Sequence, residues 1–334
     1  LFRRRGEVDR AIRIHQNLVA RPALSSWQRA GALLELGQDY MRAGLFDRAE
    51  SLFKELIEMK QHRSKALANL REIYQQEKDW VRCLEVAQQL ERVTGKRFPN
   101  EIANYHCELA REALRAGDTA RASAQLRQAQ AADKHCVRAT MLQAEIEMAR
   151  GDLEAAVTTY RRVERQGPEY LPEILPALLE GYRRLGERED MVSVLKQLYA
   201  SHPNTAVMLA LADIIEGDEG NAAAAAFVAE HLKVQADLHG LERLLDLLDG
   251  RATTCNEDQR ELLKTLLQVV RRLREGQPAY QCEHCGFVAK RLHWQCPGCN
   301  TWGGVKPVQP ATPVSYTHLT LPTIPFECRS RGSA

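Results

Sequence analysis

Four cysteines near the C-terminus have the types and spacing of a metal site. They stand in two pairs, Cys282-Glu-His-Cys285 and Cys296-Pro-Gly-Cys299, which together read C-x2-C-x10-C-x2-C. A two-residue gap lets both thiolates of one knuckle reach a single ion, and two knuckles complete a tetrahedral shell of four thiolates. Gly286 supplies permissive backbone beside the first knuckle, and Pro297 stiffens the second. The expected ligands are Cys282, Cys285, Cys296 and Cys299, holding one zinc or iron ion. His284 and His293 are close in sequence, but four thiolates already satisfy the metal. Such a closed shell leaves no open coordination position, which argues against hydrolytic catalysis. Electron transfer by iron, nucleic-acid contact and a structural or docking role are the alternatives. The basic residues nearby are few, and docking is the simplest reading.

Pairing the same cysteines as two disulfides fits the rest of the chain poorly. Nine cysteines occur in 334 residues, and the other five, Cys83, Cys107, Cys136, Cys255 and Cys328, are scattered singly. An odd count with one clustered set indicates a reducing compartment. Singly placed cysteines on apolar-periodic helices behave as small buried hydrophobes. The 46 basic and 44 acidic residues leave a formal charge of +2, so charge implies no polyanionic partner. No apolar run reaches the roughly 18 residues needed to span a bilayer. The chain begins abruptly with Leu1-Phe-Arg-Arg-Arg5 rather than Met, and further residues are expected before it in the native protein. A P-loop, a dinucleotide fingerprint and H-E-x-x-H are all absent from the sequence, and its ten histidines are dispersed. A non-catalytic protein is expected.

The elements that must carry the metal site are helical. Similar segments recur at about 34 residues, the period of tetratricopeptide repeats. In one copy Leu33, Leu36, Gly37 and Tyr40 line the first helix, Gly44 makes the turn, and Ala49, Phe53 and Leu56 line the second. The pattern returns at Leu67, Leu70, Tyr74, Cys83, Ala87 and Leu90, and at Leu109, Ala110, Gly117, Ala122, Leu126 and Ala129. It returns again at Ala144, Gly151, Ala156 and Tyr160, at Leu175, Leu178, Tyr182, Gly186, Leu195 and Leu198, and more weakly at Leu211, Ala212, Ile215, Ala224 and Val228. Small residues such as Gly37, Ala49, Ala110, Ala122, Ala144 and Ala156 let paired helices approach, and Asp47, Asp118 and Asp152 are placed to cap the helices after the turns. The first fifteen or so residues fit the second helix of a repeat, with Gly6, Ala11 and Leu18 in register. No hairpin buries its apolar face alone, so neighbours must stack.

Four regions follow: repeats over 1–235, closing amphipathic helices over 236–276, a metal module over 277–308, and a tail over 309–334. The closing helices carry Leu262, Leu263, Leu266, Leu267, Val270 and Leu273 at helical spacing. The metal module is too short to fold on apolar burial alone, and metal binding on the order of 10–16 kcal/mol would order it. Tyr280, Phe287, Trp294 and Trp302 are expected to form its small core, with Lys290, Arg291 and Lys306 offsetting the negative thiolate shell. The module is expected to fold back on the last helices. The Thr-, Pro- and Ser-rich tail from Thr312 to Ile324 resembles translated cloning sequence or a disordered end, and His318 and Cys328 within or beyond it are assigned no role.

The order of parts resembles the lipopolysaccharide assembly protein B family of Gram-negative bacteria. The matching residues are Leu1–Gln16, Leu36-Gly-Gln-Asp-Tyr40-Met, Gly44-Leu-Phe-Asp-Arg-Ala49-Glu, and the ribbon Tyr280–Phe287 with Trp294–Cys299 and Trp302. The resemblance covers about residues 1–308. It implies an all-α tetratricopeptide-repeat superhelical solenoid ending in a small rubredoxin-like four-cysteine metal ribbon. It also implies a regulator anchored in the inner membrane by an N-terminal helix, with its repeats facing the cytoplasm. The implied partners are the membrane protease FtsH, the lipid A pathway deacetylase whose breakdown it promotes, and other inner-membrane regulators of lipopolysaccharide. Arg3, Arg4 and Arg5 fit a cytoplasmic juxtamembrane segment. A generic repeat scaffold or an RNA-binding ribbon protein is the competing class, and homo-oligomerisation is left open.

Placing the repeats in register puts Arg42, Arg111, Arg115, Arg138, Arg183 and Arg184 on first-helix positions that face the concave side. They are candidate partner-binding residues, the alternative being ordinary solvated surface. Leu34, Ala68, Cys107, Met141 and Pro176 occupy the position of a carboxylate-clamp lysine, which disfavours a chaperone-tail receptor.

Overall fold

The computed structural model describes residues 2–249 and 257–308. Cys255 and the tail with Thr312–Ile324, His318 and Cys328 lie outside the described residues. The described residues up to Leu211, together with Pro278–Pro307, form one compact unit, and those within Ala212–Gln277 form a second.

The first unit is a succession of antiparallel helices. They are α1 (Val8–Val19), α2 (Ser26–Arg42), α3 (Phe46–Glu58), α4 (Arg63–Glu77), α5 (Trp80–Thr94), α6 (Pro99–Arg115), α7 (Thr119–Ala132), α8 (Val137–Arg150), α9 (Leu153–Arg161), the short α10 (Val163–Gln166), α11 (Leu171–Leu185) and α12 (Arg188–Ser201). Helices α2 and α3, α4 and α5, α6 and α7, and α8 and α9 pair as hairpins, and each hairpin stacks on the next. The expected small positions are where helices meet: Ala49, Ala110, Ala122, Ala144 and Ala156 are fully buried. Gly37 faces the buried Phe53 so closely that a Cβ there would lie 2.6 Å from the ring. Gly117 and Gly151 turn with φ of 77° and 85°, a left-handed backbone that costs glycine little.

The caps differ in detail from the expectation. The Asp118 carboxylate accepts the Arg121 N–H at 2.8 Å, and Asp79 does the same for Arg82 at 3.0 Å. Asp152 occupies the N-cap of α9 without a side-chain cap bond, and Asp47 lies inside the first turn of α3, where the helix dipole favours a carboxylate. Helix α1 packs on α2, burying Ala11 and Ile12. Arg3 bonds Glu35 and the fully buried Asp39, both at 3.0 Å, so it is drawn onto the repeats.

Helix α13 (Thr205–Glu219) runs into the second unit, which continues as α14 (Asn221–Val234), α15 (Leu238–Asp249) and α16 (Glu257–Glu275). In that unit α15 packs on α14 and on α16. Arg271 and Arg274 on α16 pair with Glu242 on α15 at 3.0 and 3.1 Å. Val270 is buried, whereas Leu262, Leu266 and Leu273 are exposed, so α16 buries a narrower stripe than its leucine content suggests. Among the described residues no helix is long and apolar enough to cross a membrane.

The last thirty described residues form an antiparallel sheet of order β2-β1-β3, with β1 Tyr280–Cys282, β2 Val288–Ala289 and β3 Val305–Pro307. Tyr280 pairs with Ala289 on one side and Pro307 on the other, and Cys282 pairs with Val305.

Candidate metal centre and its seat on the repeats

Each cysteine pair sits on a tight turn that aims two sulfurs at one point. In the first knuckle the Gly286 N–H donates to the Cys282 carbonyl at 2.9 Å and the Cys282 N–H to the Phe287 carbonyl at 2.7 Å. The second repeats the arrangement, with Asn300 N–H donating to the Cys296 carbonyl and Cys296 N–H to the Thr301 carbonyl. Gly286 has φ 75°, as the knuckle turn requires.

The four sulfurs all lie within 4.8 Å of one another. Cys282 and Cys299 are 3.8 Å apart and Cys285 and Cys296 3.6 Å. Four thiolates around one ion at about 2.3 Å would have edges of about 3.8 Å, so the cradle fits a tetrahedral zinc or iron site. Glycines allow the backbone this close. A Cβ on Gly298 would meet the Cys285 sulfur at 3.3 Å, and one on Gly304 the Cys282 sulfur at 3.4 Å. The Thr301 hydroxyl and backbone N–H pull the Cys299 thiol down to about 6, whereas burial and the neighbouring thiols hold Cys285 and Cys296 above their ordinary value, so Cys299 is the first of these three to become a thiolate. His284 and His293 are not in the cluster; the His293 ring packs edge-on to Phe287.

The ribbon's own core is smaller than expected. Cys282, Cys296 and Val305 are its buried centre, flanked by Tyr280, Phe287 and Cys299. Trp294 and Trp302 leave it and join the core of the repeats. Trp302, 4% exposed, packs with the Trp80 ring at 5.9 Å and edge-on to Tyr105 at 6.0 Å. Trp294 stacks on Tyr170 at 5.3 Å. Asn100 donates to the Trp302 carbonyl at 2.9 Å, Gln295 to Gln75 at 3.1 Å, and Tyr280 to Glu173.

The expectation that the ribbon folds back on the last helices is therefore corrected. It seats on residues of α4, α5, α6, α8 and α11 and on the turn Pro168–Tyr170. Aromatic surface was available there, and burying two indoles against three further rings stabilises the contact by area and by ring geometry. Lys306 pairs with Glu169 at 3.1 Å and Glu283 at 3.3 Å. Burial alone would lower its ammonium, but the two carboxylates outweigh that and hold it above its ordinary value.

Arg138 has a different place from the other candidate arginines. Its side chain is 2% exposed, because the ribbon's indoles cover it. It donates to Asn104 at 3.2 Å and Glu108 at 2.6 Å, and its guanidinium lies 5.9 and 5.7 Å from the ring centres of Trp294 and Trp302. Arg42, Arg111, Arg115, Arg183 and Arg184 are exposed. Of these, Arg111 pairs with Glu108 at 3.8 Å and Arg183 with Glu180 at 2.6 Å. The seat residues Trp80, Asn100, Tyr105, Tyr170 and Glu173 were not singled out from sequence. Only their aromatic or polar character on otherwise apolar helix stripes distinguishes them.

Comparison with known proteins agrees with both parts. Residues 107–170 match the tetratricopeptide repeat family, and residues 280–307 match a rubredoxin metal binding domain. The chain is 36% identical over 314 residues to lipopolysaccharide assembly protein B of Escherichia coli K12, covering 92% of this chain and 79% of that protein. It is 33% identical over 313 residues to the protein of the same name from Haemophilus influenzae, covering 92% and 77%. With repeats and ribbon both present and this identity running through them, the chain belongs to the lipopolysaccharide assembly protein B family.

Proposed function

We propose that this protein is a non-catalytic adaptor that regulates lipopolysaccharide synthesis at the cytoplasmic face of the bacterial inner membrane. It promotes FtsH-dependent proteolysis of the lipid A pathway deacetylase by presenting a recognition surface to both. The observation that carries the reading is the seating of the ribbon. A closed four-thiolate site has no room for substrate, and its neighbours Trp294 and Trp302 are spent on the repeats. The metal therefore serves architecture, fixing one end of the chain against helices far away in sequence. Relatives named for lipopolysaccharide assembly support the pathway.

Arg42, Arg111, Arg115, Arg183 and Arg184 are the proposed contact residues, being exposed and cationic. Acidic segments of a partner would suit them, and pairs such as Arg183–Glu180 would open at small cost because exposed ion pairs contribute little. The test is crosslinking of full-length protein in cells, capture, and mass spectrometry. Enrichment of the protease and the deacetylase over a matched control is expected. Capture of neither would overturn the reading.

A further inference from the structure

Two cysteines outside the metal site face each other. Cys107 lies in the middle of α6 and Cys136 caps the start of α8, and their sulfurs are 3.9 Å apart. Both belong to an apolar cluster rich in alanine, with Ala103, Ala110, Ala139, Leu126 and Ile146 among its members. A third core cysteine, Cys83, provides the contrast. It is fully buried, and burial pushes its thiol up to about 12, as for an inert packing residue.

The pair is set apart by its surroundings. With Cys107 as donor, the hydrogen bond between the thiols holds the Cys136 thiol below its ordinary value despite burial, and the Ala139 N–H at the start of α8 adds to this. The same bond, with burial, raises Cys107 well above its ordinary value. The Arg138 guanidinium favours a thiolate at both. Cys136 is 6% exposed and Cys107 is fully buried, so a small oxidant meets Cys136 first. These are the distinct features of an attacking and a resolving thiol.

We propose that Cys107 and Cys136 form a peroxide-responsive dithiol that closes reversibly to a disulfide inside the repeats. The oxidant is a hydroperoxide. The Cys136 thiolate attacks one peroxide oxygen, the O–O bond breaks, and the departing hydroxide takes up the proton that Cys136 released. Cys136 is left as a sulfenic acid. The Cys107 sulfur then attacks it, the S–O bond breaks, and hydroxide leaves with the Cys107 proton as water. Two thiols are oxidised to one disulfide, and hydrogen peroxide is reduced to two waters. The sulfurs must approach from 3.9 Å to about 2.05 Å, which calls for side-chain rotation and a small shift at the start of α8.

The test uses the full chain with its ribbon loaded with zinc. It is treated with hydrogen peroxide, quenched with an alkylating agent, and mapped without reduction. A Cys107–Cys136 linked peptide should be the main product, dithiothreitol should reverse it, and Cys83 should remain a thiol. Cys107→Ser should stop at a sulfenic acid on Cys136, trapped by dimedone, and Cys136→Ser should leave Cys107 unoxidised. If either variant fails to fold, alkylation of the unaltered protein decides, with Cys136 expected to react at least tenfold faster than Cys83. Equal alkylation rates, or a link that forms only after the zinc is lost, would overturn the proposal.

Discussion

The Arg138 guanidinium lies 5.7 Å from the centre of the Trp302 ring, so a repeat helix holds the ribbon through a buried charge. A buried arginine is tolerated only when its donors and charge are met, and here Asn104, Glu108 and two indoles meet them. Arg138→Ala leaves Glu108, whose side chain is 15% exposed, with only the longer pair to Arg111 at 3.8 Å, and should lower stability by about 3 kcal/mol, the lower end for breaking a buried pair. Arg138→Lys should cost less, because it keeps the charge and loses the planar fork. Denaturant midpoints check both, and an alanine variant as stable as the parent would contradict the clamp.

Trp302→Ala separates docking from metal binding. Truncating a buried tryptophan costs about 3–5 kcal/mol where the surroundings stay in place. The ribbon can limit that loss by leaving its seat. Metal content should stay near the parent's, since all four ligands remain, while limited proteolysis should cut the ribbon much faster. Loss of metal in step with proteolysis would show that seat and site are not separable.

Cys285→Ser attacks the site directly. The purified parent should carry about one zinc or iron per chain, and the variant markedly less. Because the ribbon owes its order to the ion, chelation should loosen it while the helical circular dichroism of the repeats persists on their own core. Full metal occupancy in the variant would refute the ligand assignment.

Gly37→Ala is a packing test. In an open helix this change stabilises by about 1 kcal/mol. Here the new Cβ would lie 2.6 Å from Phe53 Cε1 and 2.8 Å from Cζ, and the ring is fully buried and cannot swing away. Overpacking of about 1–3 kcal/mol should win, giving a net loss in thermal unfolding. A stabilised variant would mean that α2 and α3 separate easily.

The repeats and the ligands were legible because their signals are local. Gly37 with Ala49, the turn glycines and the two C-x2-C knuckles each act within about 34 residues, the length of one repeat. The seat of the ribbon was not legible. Asn100 and Trp302 meet across 202 positions, and nothing near either residue marks the other. Trp294 and Trp302 read as core for the ribbon because they flank its cysteines, yet both lie outside its three strands and pack on Tyr170, Trp80 and Tyr105 of the repeats. Arg138 shares a helical register with solvated arginines, and only the arriving indoles make it a buried residue. The leucines of α16 show the opposite error, since helical periodicity alone does not say how wide a stripe the neighbour α15 covers.

The half-life of the lipid A pathway deacetylase, followed after translation is stopped, tests the adaptor role most directly. In cells lacking the native protein the deacetylase should persist, and full-length protein should restore its rapid turnover. A version with Cys282→Ser and Cys285→Ser, present at equal abundance, should restore turnover poorly. A deacetylase half-life that is the same with and without this protein would contradict the adaptor role.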